Sequence, residues 1–162
     1  MIKLIFKIVL VIYVGLINAD DFNNQEIALN HFMQGEFLMN QGNYALAILE
    51  FQDALALDPN AATIHISIAD GYRRIGKIIH AENHLKIALD LNSEESEALE
   101  MLGQLFLAQQ RYNDSKEIFL KLHKLYPENL DFIFTLADLA KIHKEWNLAI
   151  DYYIAGYQIN SM

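Results

Sequence analysis

From Ala28 to the C-terminus, apolar residues recur at i, i+3, i+4 and i+7, the one-face period of an amphipathic helix. The faces come in pairs, and the pairs recur every 34 residues without an insertion, starting at Ala28, Ala62, Ser96 and Leu130. Within each stretch, positions 4, 7, 8 and 11 form one helix face. Positions 17, 20, 24, 27 and 28 form the facing stripe of a second helix. Position 8 is always small (Gly35, Ala69, Gly103, Ala137), and so is position 20 (Ala47, Ala81, Ser115, Ala149). Position 24 is always large (Phe51, Leu85, Phe119, Tyr153), as is position 17 (Tyr44, Ile78, Tyr112, Trp146).

This alternation predicts two helices per stretch that cross closely where small residues meet, with large side chains filling the remaining volume. Gly35 or Ala69 is expected against Ala47 or Ala81. Gly42 and Gly76 fall between the two helices, where a helix end favours a left-handed residue. Position 32 reads Pro59, Ser93, Pro127 and Ser161. The prolines close one pair and open the next, and Ser93 is expected to cap the following helix instead. A generic four-helix bundle shows heptads without a 34-residue recurrence of small residues, so it fits less well.

These residues resemble the tetratricopeptide repeat family. Gly35, Gly42, Tyr44, Ala47, Phe51, Ala54 and Pro59 carry the pattern in repeat one, and Ala69, Tyr72, Gly76, Ala81 and Ala88 in repeat two. Repeat three keeps Leu102, Gly103, Tyr112, Phe119 and Pro127 but has Leu122 where alanine is usual. Repeat four has Leu136, Ala137, Trp146, Ala149 and Gly156. The resemblance covers residues 28–162 and implies an all-α solenoid of four helix-turn-helix repeats in a right-handed superhelix: 28–61, 62–95, 96–129 and 130–162.

Residues 1–19 read differently. Two lysines (Lys3, Lys7), an apolar stretch from Ile8 to Ile17, Ala19 and then Asp20-Asp21 follow the order of a secretory signal. The stretch is short for a membrane span, which needs about 20 residues. The readings are a signal cleaved after Ala19 or an uncleaved anchor, followed by a short flank over residues 20–27. In both, the repeats are expected outside the cytoplasm, periplasmic or secreted. Loss of Lys3 and Lys7 with the leader makes a chain of net charge -9 more acidic still. That charge argues against nucleic acid as partner, because phosphates need a basic surface. Absence of cysteine excludes disulfides, thiol catalysis and cysteine-based zinc sites.

The resemblance also implies a concave groove lined by the first helix of each pair. Positions 2, 5, 9 and 12 would project into it: Leu29, Phe32, Glu36 and Met39; Thr63, Ile66, Asp70 and Arg73; Glu97, Glu100, Gln104 and Leu107; Asp131, Phe134, Asp138 and Lys141. The expected lining is apolar at its start and acidic through its middle, suited to an apolar or basic segment of a protein. The alternative is a solvated inner face whose acids serve solubility. The carboxylate clamp of some family members is absent, since Phe32, Glu36 and Glu97 stand at its places. Arrays of this kind often end in a further polar helix. This sequence stops at Met162, so Tyr152, Tyr153, Ile154 and Tyr157 are a second expected contact face.

His80 and His84, four apart with Glu82 nearby, invite a metal, but no third ligand follows and no metal or other cofactor is expected. His31 and His65 share position 4 of successive repeats, which suggests either two structural imidazoles or a pH-sensitive seam between them. Asn113-Asp114-Ser115 matches a glycosylation sequon, relevant only in a eukaryotic host. No nucleophile–base set, phosphate loop or catalytic carboxylate pair can be assembled, so the expected function is a binding scaffold and not an enzyme. It would be an exported adaptor that holds a partner's peptide or helix in its groove and aids envelope assembly. The alternative is a structural module that self-associates through the C-terminal tyrosines.

Overall fold

The computed structural model describes residues 23–160. The leader at residues 1–19, the start of the flank and Ser161 lie outside the described residues. Among those described are eight α-helices and no strand. Helix α1 occupies residues 23–40. It is followed by α2 (Tyr44–Leu57), α3 (Ala62–Arg74), α4 (Ile78–Leu91), α5 (Ser96–Ala108), α6 (Tyr112–Leu125), α7 (Leu130–Ile142) and α8 (Trp146–Asn160). The fold is an all-α solenoid of helix pairs, and α3, α5 and α7 begin at the residues where the 34-residue period restarts. The chain divides inside α4 into two compact units, residues 1–84 and 85–162.

One turn is built four times. After α1, α3, α5 and α7 the chain enters a left-handed residue: Gly42 (φ 77°), Gly76 (φ 75°), Gln110 (φ 61°) and Lys144 (φ 61°). Each turn closes with the same two hydrogen bonds. Gly42 N–H reaches Met39 O at 3.0 Å and Asn43 N–H reaches Leu38 O at 2.9 Å, and the last turn repeats this with Lys144 to Lys141 at 3.0 Å and Glu145 to Ala140 at 2.9 Å. This pair of bonds satisfies carbonyls that a helix end otherwise leaves open. Lys77 sits over the Tyr72 ring and Arg111 over the Phe106 ring, at 5.9 and 4.0 Å. These cation–ring contacts join the two residues where this turn usually makes an apolar contact. The sequence marks only the two glycine turns; the other two have identical geometry without the residue that advertises it.

Between pairs, the second turn also recurs. Ala61 N–H bonds Asp58 O, Glu95 N–H bonds Asn92 O and Asn129 N–H bonds Tyr126 O, with Pro59, Ser93 and Pro127 at the same corner. Ser93 therefore serves as a corner residue and not as the expected cap. The N-cap of α5 is Glu95, which makes no side-chain cap bond, and the Ser93 carbonyl accepts from Lys121 Nζ. Of the three junctions, only α7 has a side-chain cap: Asn129 Oδ1 accepts from the Asp131 and Phe132 N–H groups.

In the first unit, Ala47, Ile48, Phe51, Ala54, Ile64 and Ile68 form the core. Gly35 was expected to meet Ala47. It lies under the edge of the Phe51 ring, which a Cβ on Gly35 would strike. Gly71 likewise leaves room for Ile48. The second unit has a core of Leu99, Phe119, Leu122, Phe132, Leu136 and Leu139. There Gly103 makes the close approach. A Cβ on it would fall 2.8 Å from the Phe119 ring, and its carbonyl accepts a 3.0 Å bond from buried Ser115 Oγ. Trp146 departs from the repeat. Expected in the interhelical stripe, it is 58% exposed.

Two substitutions test this construction. Lys144→Gly relieves a left-handed β-carbon and should stabilise by about 0.5–1 kcal/mol, the strain gain less the entropy glycine adds to the unfolded chain. Gly103→Ala should destabilise by about 1–3 kcal/mol through overpacking against Phe119. Urea denaturation of both variants reads the two signs; a neutral Gly103→Ala would contradict the close approach.

Candidate partner-binding surfaces

In the first unit, the start of α1, the corner before α3 and the first turn of α3 enclose a cavity of about 300 Å³. Leu29, Phe32, Ala28, Ala61 and Ile64 give it an apolar lining, and Asp58 stands at its edge. Leu29 is 56% exposed and free to touch a ligand. Phe32 is only partly available, because its ring packs on Phe51 at 5.6 Å. Met39 is likewise packed against the core.

Ile66 does not line an open groove. It is 3% exposed, buried on the face of α3 that the period assigned to the groove. The acids are also partly engaged. Glu36 Oε1 accepts from Ser67 Oγ at 2.8 Å, which ties α1 to α3. Asp70 is flanked by Arg73 and Arg74, with Arg74 Nε at 3.3 Å. Among the described residues, Glu26, Asp53 and Asp58 are the exposed acids of this unit, and from Asp20 to Asp70 the sequence has eight carboxylates and neither lysine nor arginine.

In the second unit, Glu97 is exposed and Glu100 accepts a 3.0 Å bond from Gln104. Phe134 is no free anchor, because its ring lies over Gly156 between Tyr153 (6.2 Å) and Tyr157 (5.8 Å). Asp138 accepts a 2.6 Å bond from Tyr153 Oη and a 3.2 Å bond from Lys141 Nζ. The Tyr153 bond is the main reason its carboxyl titrates below the usual range.

The C-terminal face differs in membership from the expected one. Tyr152 is half-buried edge-on to His123, and Tyr153 is held by Phe134 and Asp138. Ile154 (50%) and Tyr157 (67%) are exposed, and they are joined by two residues the sequence reading assigned to no surface, Trp146 (58%) and Ile150 (54%). A signal existed in the sequence: α8 is apolar on more sides than one core contact can use.

The histidines pair differently from the sequence reading. His31 Nδ1 lies 2.8 Å from Glu50 Oε2, with Asp53 one turn along, so that three donor atoms fall within 4.8 Å of one another. Such a set has the chemistry of a divalent-cation ligand group, and it arises far from the His80–His84 pair where a third ligand was sought. His80 instead stacks on Tyr72 at 5.0 Å. His65 faces His84, not His31, at 3.0 Å between their Nδ1 atoms. That bond needs one nitrogen protonated and the other bare. Burial pushes the His65 titration down, and burial followed by the His65 and His80 charges lowers His84 to about 4.

Two tetratricopeptide repeat family models match residues 28–61 and 66–129. The chain belongs to the tetratricopeptide repeat family. Tetratricopeptide repeat protein 21A of Mus musculus is 24% identical over 120 residues, which is 74% of this chain and 9% of that protein. The chain thus spans under a tenth of this relative's length. A crystal structure of MamA superposes with a TM-score of 0.77 at 17% identity, covering 92% of this chain and 85% of that one. The first such domain of Spaghetti (RPAP3), bound to the HSP90 peptide SRMEEVD, gives 0.68 at 23% identity, covering 74% and 98%. The family and the fold are those of a protein-interaction scaffold.

The His65–His84 pair predicts acid sensitivity. In the unfolded chain His84 titrates near its ordinary 6.5; in the fold it titrates at about 4. Between these values the unfolded chain holds the extra proton. Stability is therefore full above pH 6.5 and is lost as pH falls toward 4. His84→Gln should flatten the dependence of the thermal midpoint on pH across that window. An equally steep profile in the variant would remove the pair from the explanation.

Proposed function

We propose that this chain is an exported adaptor that takes an apolar and basic segment of a partner protein on its first repeats and helps assemble or hold an envelope complex. The observation that carries this reading is the apolar cavity beside Leu29 and Phe32, edged by Asp58 and set in a stretch without lysine or arginine. An apolar side chain entering the cavity would lose water, and a neighbouring Lys or Arg would meet a field of carboxylates. The HSP90 peptide bound by the RPAP3 domain is acidic. The charge of this surface favours the opposite sign, in keeping with the missing clamp at Phe32, Glu36 and Glu97. The role is binding, with no catalytic step and no cofactor. Export rests on the order Lys3, Lys7, Ile8 to Ile17, Ala19.

Affinity capture from an envelope extract of the host tests it. Leu29 and Asp58 are exposed, so Leu29→Asp and Asp58→Lys probe the surface without touching the core, whereas Phe32→Asp would disturb Phe51. Each should weaken partner recovery by about 10-fold or more. Partners retained by both variants would sink the binding surface. Sequencing the recovered N-terminus separates the export readings: Asp20 first means cleavage, and Met1 in the membrane fraction means an anchor. Recovery from the cytosol would refute both.

A further inference from the structure

Helix α8 carries two apolar faces. One, with Ala149 and Gly156 buried, packs on α7. The other is a stripe of Trp146, Ile150, Ile154 and Tyr157, each at least half exposed. Their spacing of four, four and three residues keeps them on one side of the helix, about 16 Å from end to end. Among the described residues nothing covers this stripe. It holds no charge in a chain of net charge -9, and the nearest acid along the helix, Asp151, lies off its line.

We propose that this stripe is covered by α8 of a second copy of the chain, packed antiparallel about a two-fold axis at the level of Tyr152. The order aromatic–isoleucine–isoleucine–aromatic is the same read in either direction. An antiparallel pairing centred near residue 152 therefore seats Ile150 on Ile154 of the other copy and brings Trp146 to the level of Tyr157, leaving no large apolar residue unmatched. That is the self-complementarity a two-fold interface requires. Copies of so acidic a chain repel one another over most of their surface, and an uncharged stripe is where that repulsion is least. Trp and Tyr are enriched at protein interfaces, where their rings bury a large apolar area. Antiparallel packing opposes the two helix dipoles, whereas parallel packing would align them. Knobs from one stripe would enter the gaps of the other, as in antiparallel helix pairs generally.

The chain has no cysteine, so introduced thiols report geometry without background. In full-length chains co-expressed in pairs, Trp146→Cys and Tyr157→Cys should form a mixed disulfide dimer. Neither should cross-link with itself, because like residues then lie about 18 Å (Trp146) or about 15 Å (Tyr157) apart along the axis and a disulfide needs Cα atoms within about 7 Å. Sedimentation of the full chain in mild detergent should show a dimer. Ile150→Asp/Ile154→Asp should convert it to monomer with unchanged helical circular dichroism, while Leu46→Asp on α2 leaves the dimer intact. A Trp146→Cys self-dimer would overturn the antiparallel arrangement. A monomer at ~100 µM, or a different protein captured by the thiols in place of the second copy, would overturn the proposal altogether.

Discussion

The close approach of the two helices within a repeat is the contact on which the rest depends. At Gly35 and Gly103 the first helix has no side chain, and the ring of Phe51 or Phe119 occupies that space. Glycine inside a helix costs roughly 0.5–1 kcal/mol against alanine. Here that cost is offset by burying an aromatic ring, 0% exposed for Phe51 and 3% for Phe119. Repeat four solves the same problem with the roles exchanged. Gly156 lies on the second helix and Phe134 of the first covers it. A ring on one helix and a glycine on the other keep the axes close whichever helix supplies which.

Fixing that contact fixes the neighbours. Positions 4 and 23, nineteen residues apart, are brought together in the first three pairs. In repeat one they are His31 and Glu50, hydrogen-bonded at 2.8 Å. In repeat two they are His65 and His84, at 3.0 Å. The equivalent residues are Leu99 and Ile118 in repeat three and Ile133 and Tyr152 in repeat four. One slot therefore holds titratable chemistry in the first unit and apolar packing in the second. Acid should loosen the first unit at this slot, because the His65–His84 bond there is lost when the bare nitrogen gains a proton.

Much of the fold was legible because the repeat leaves a strict record of size. Small at 8 and 20 and large at 24 survives in all four stretches, and the helices begin where that record places them. The left-handed turn was legible only at Gly42 and Gly76. Gln110 and Lys144 enter the same left-handed region, held there by the two closing hydrogen bonds, so geometry imposed by the helix end outruns residue preference. The His65–His84 pair leaves no such record: the 34-residue period relates equivalent positions of different repeats, whereas this contact joins two positions within one repeat.

The binding surface was less legible, and the reason is angular. Positions 5, 9 and 12 lie only one stripe around the helix from the core line, and a long side chain at that border can turn either way. Phe32, Met39 and Phe134 turn inward onto Phe51, the first core and Gly156; Ile66 is buried outright; Leu29 stays out. Trp146 stands at position 17 in register with Tyr44, Ile78 and Tyr112 but is more exposed than any of them. Size periodicity thus predicts where helices meet, and the leftover bulk, on Leu29 and on the outer stripe of α8, marks where this scaffold still has apolar surface to bury.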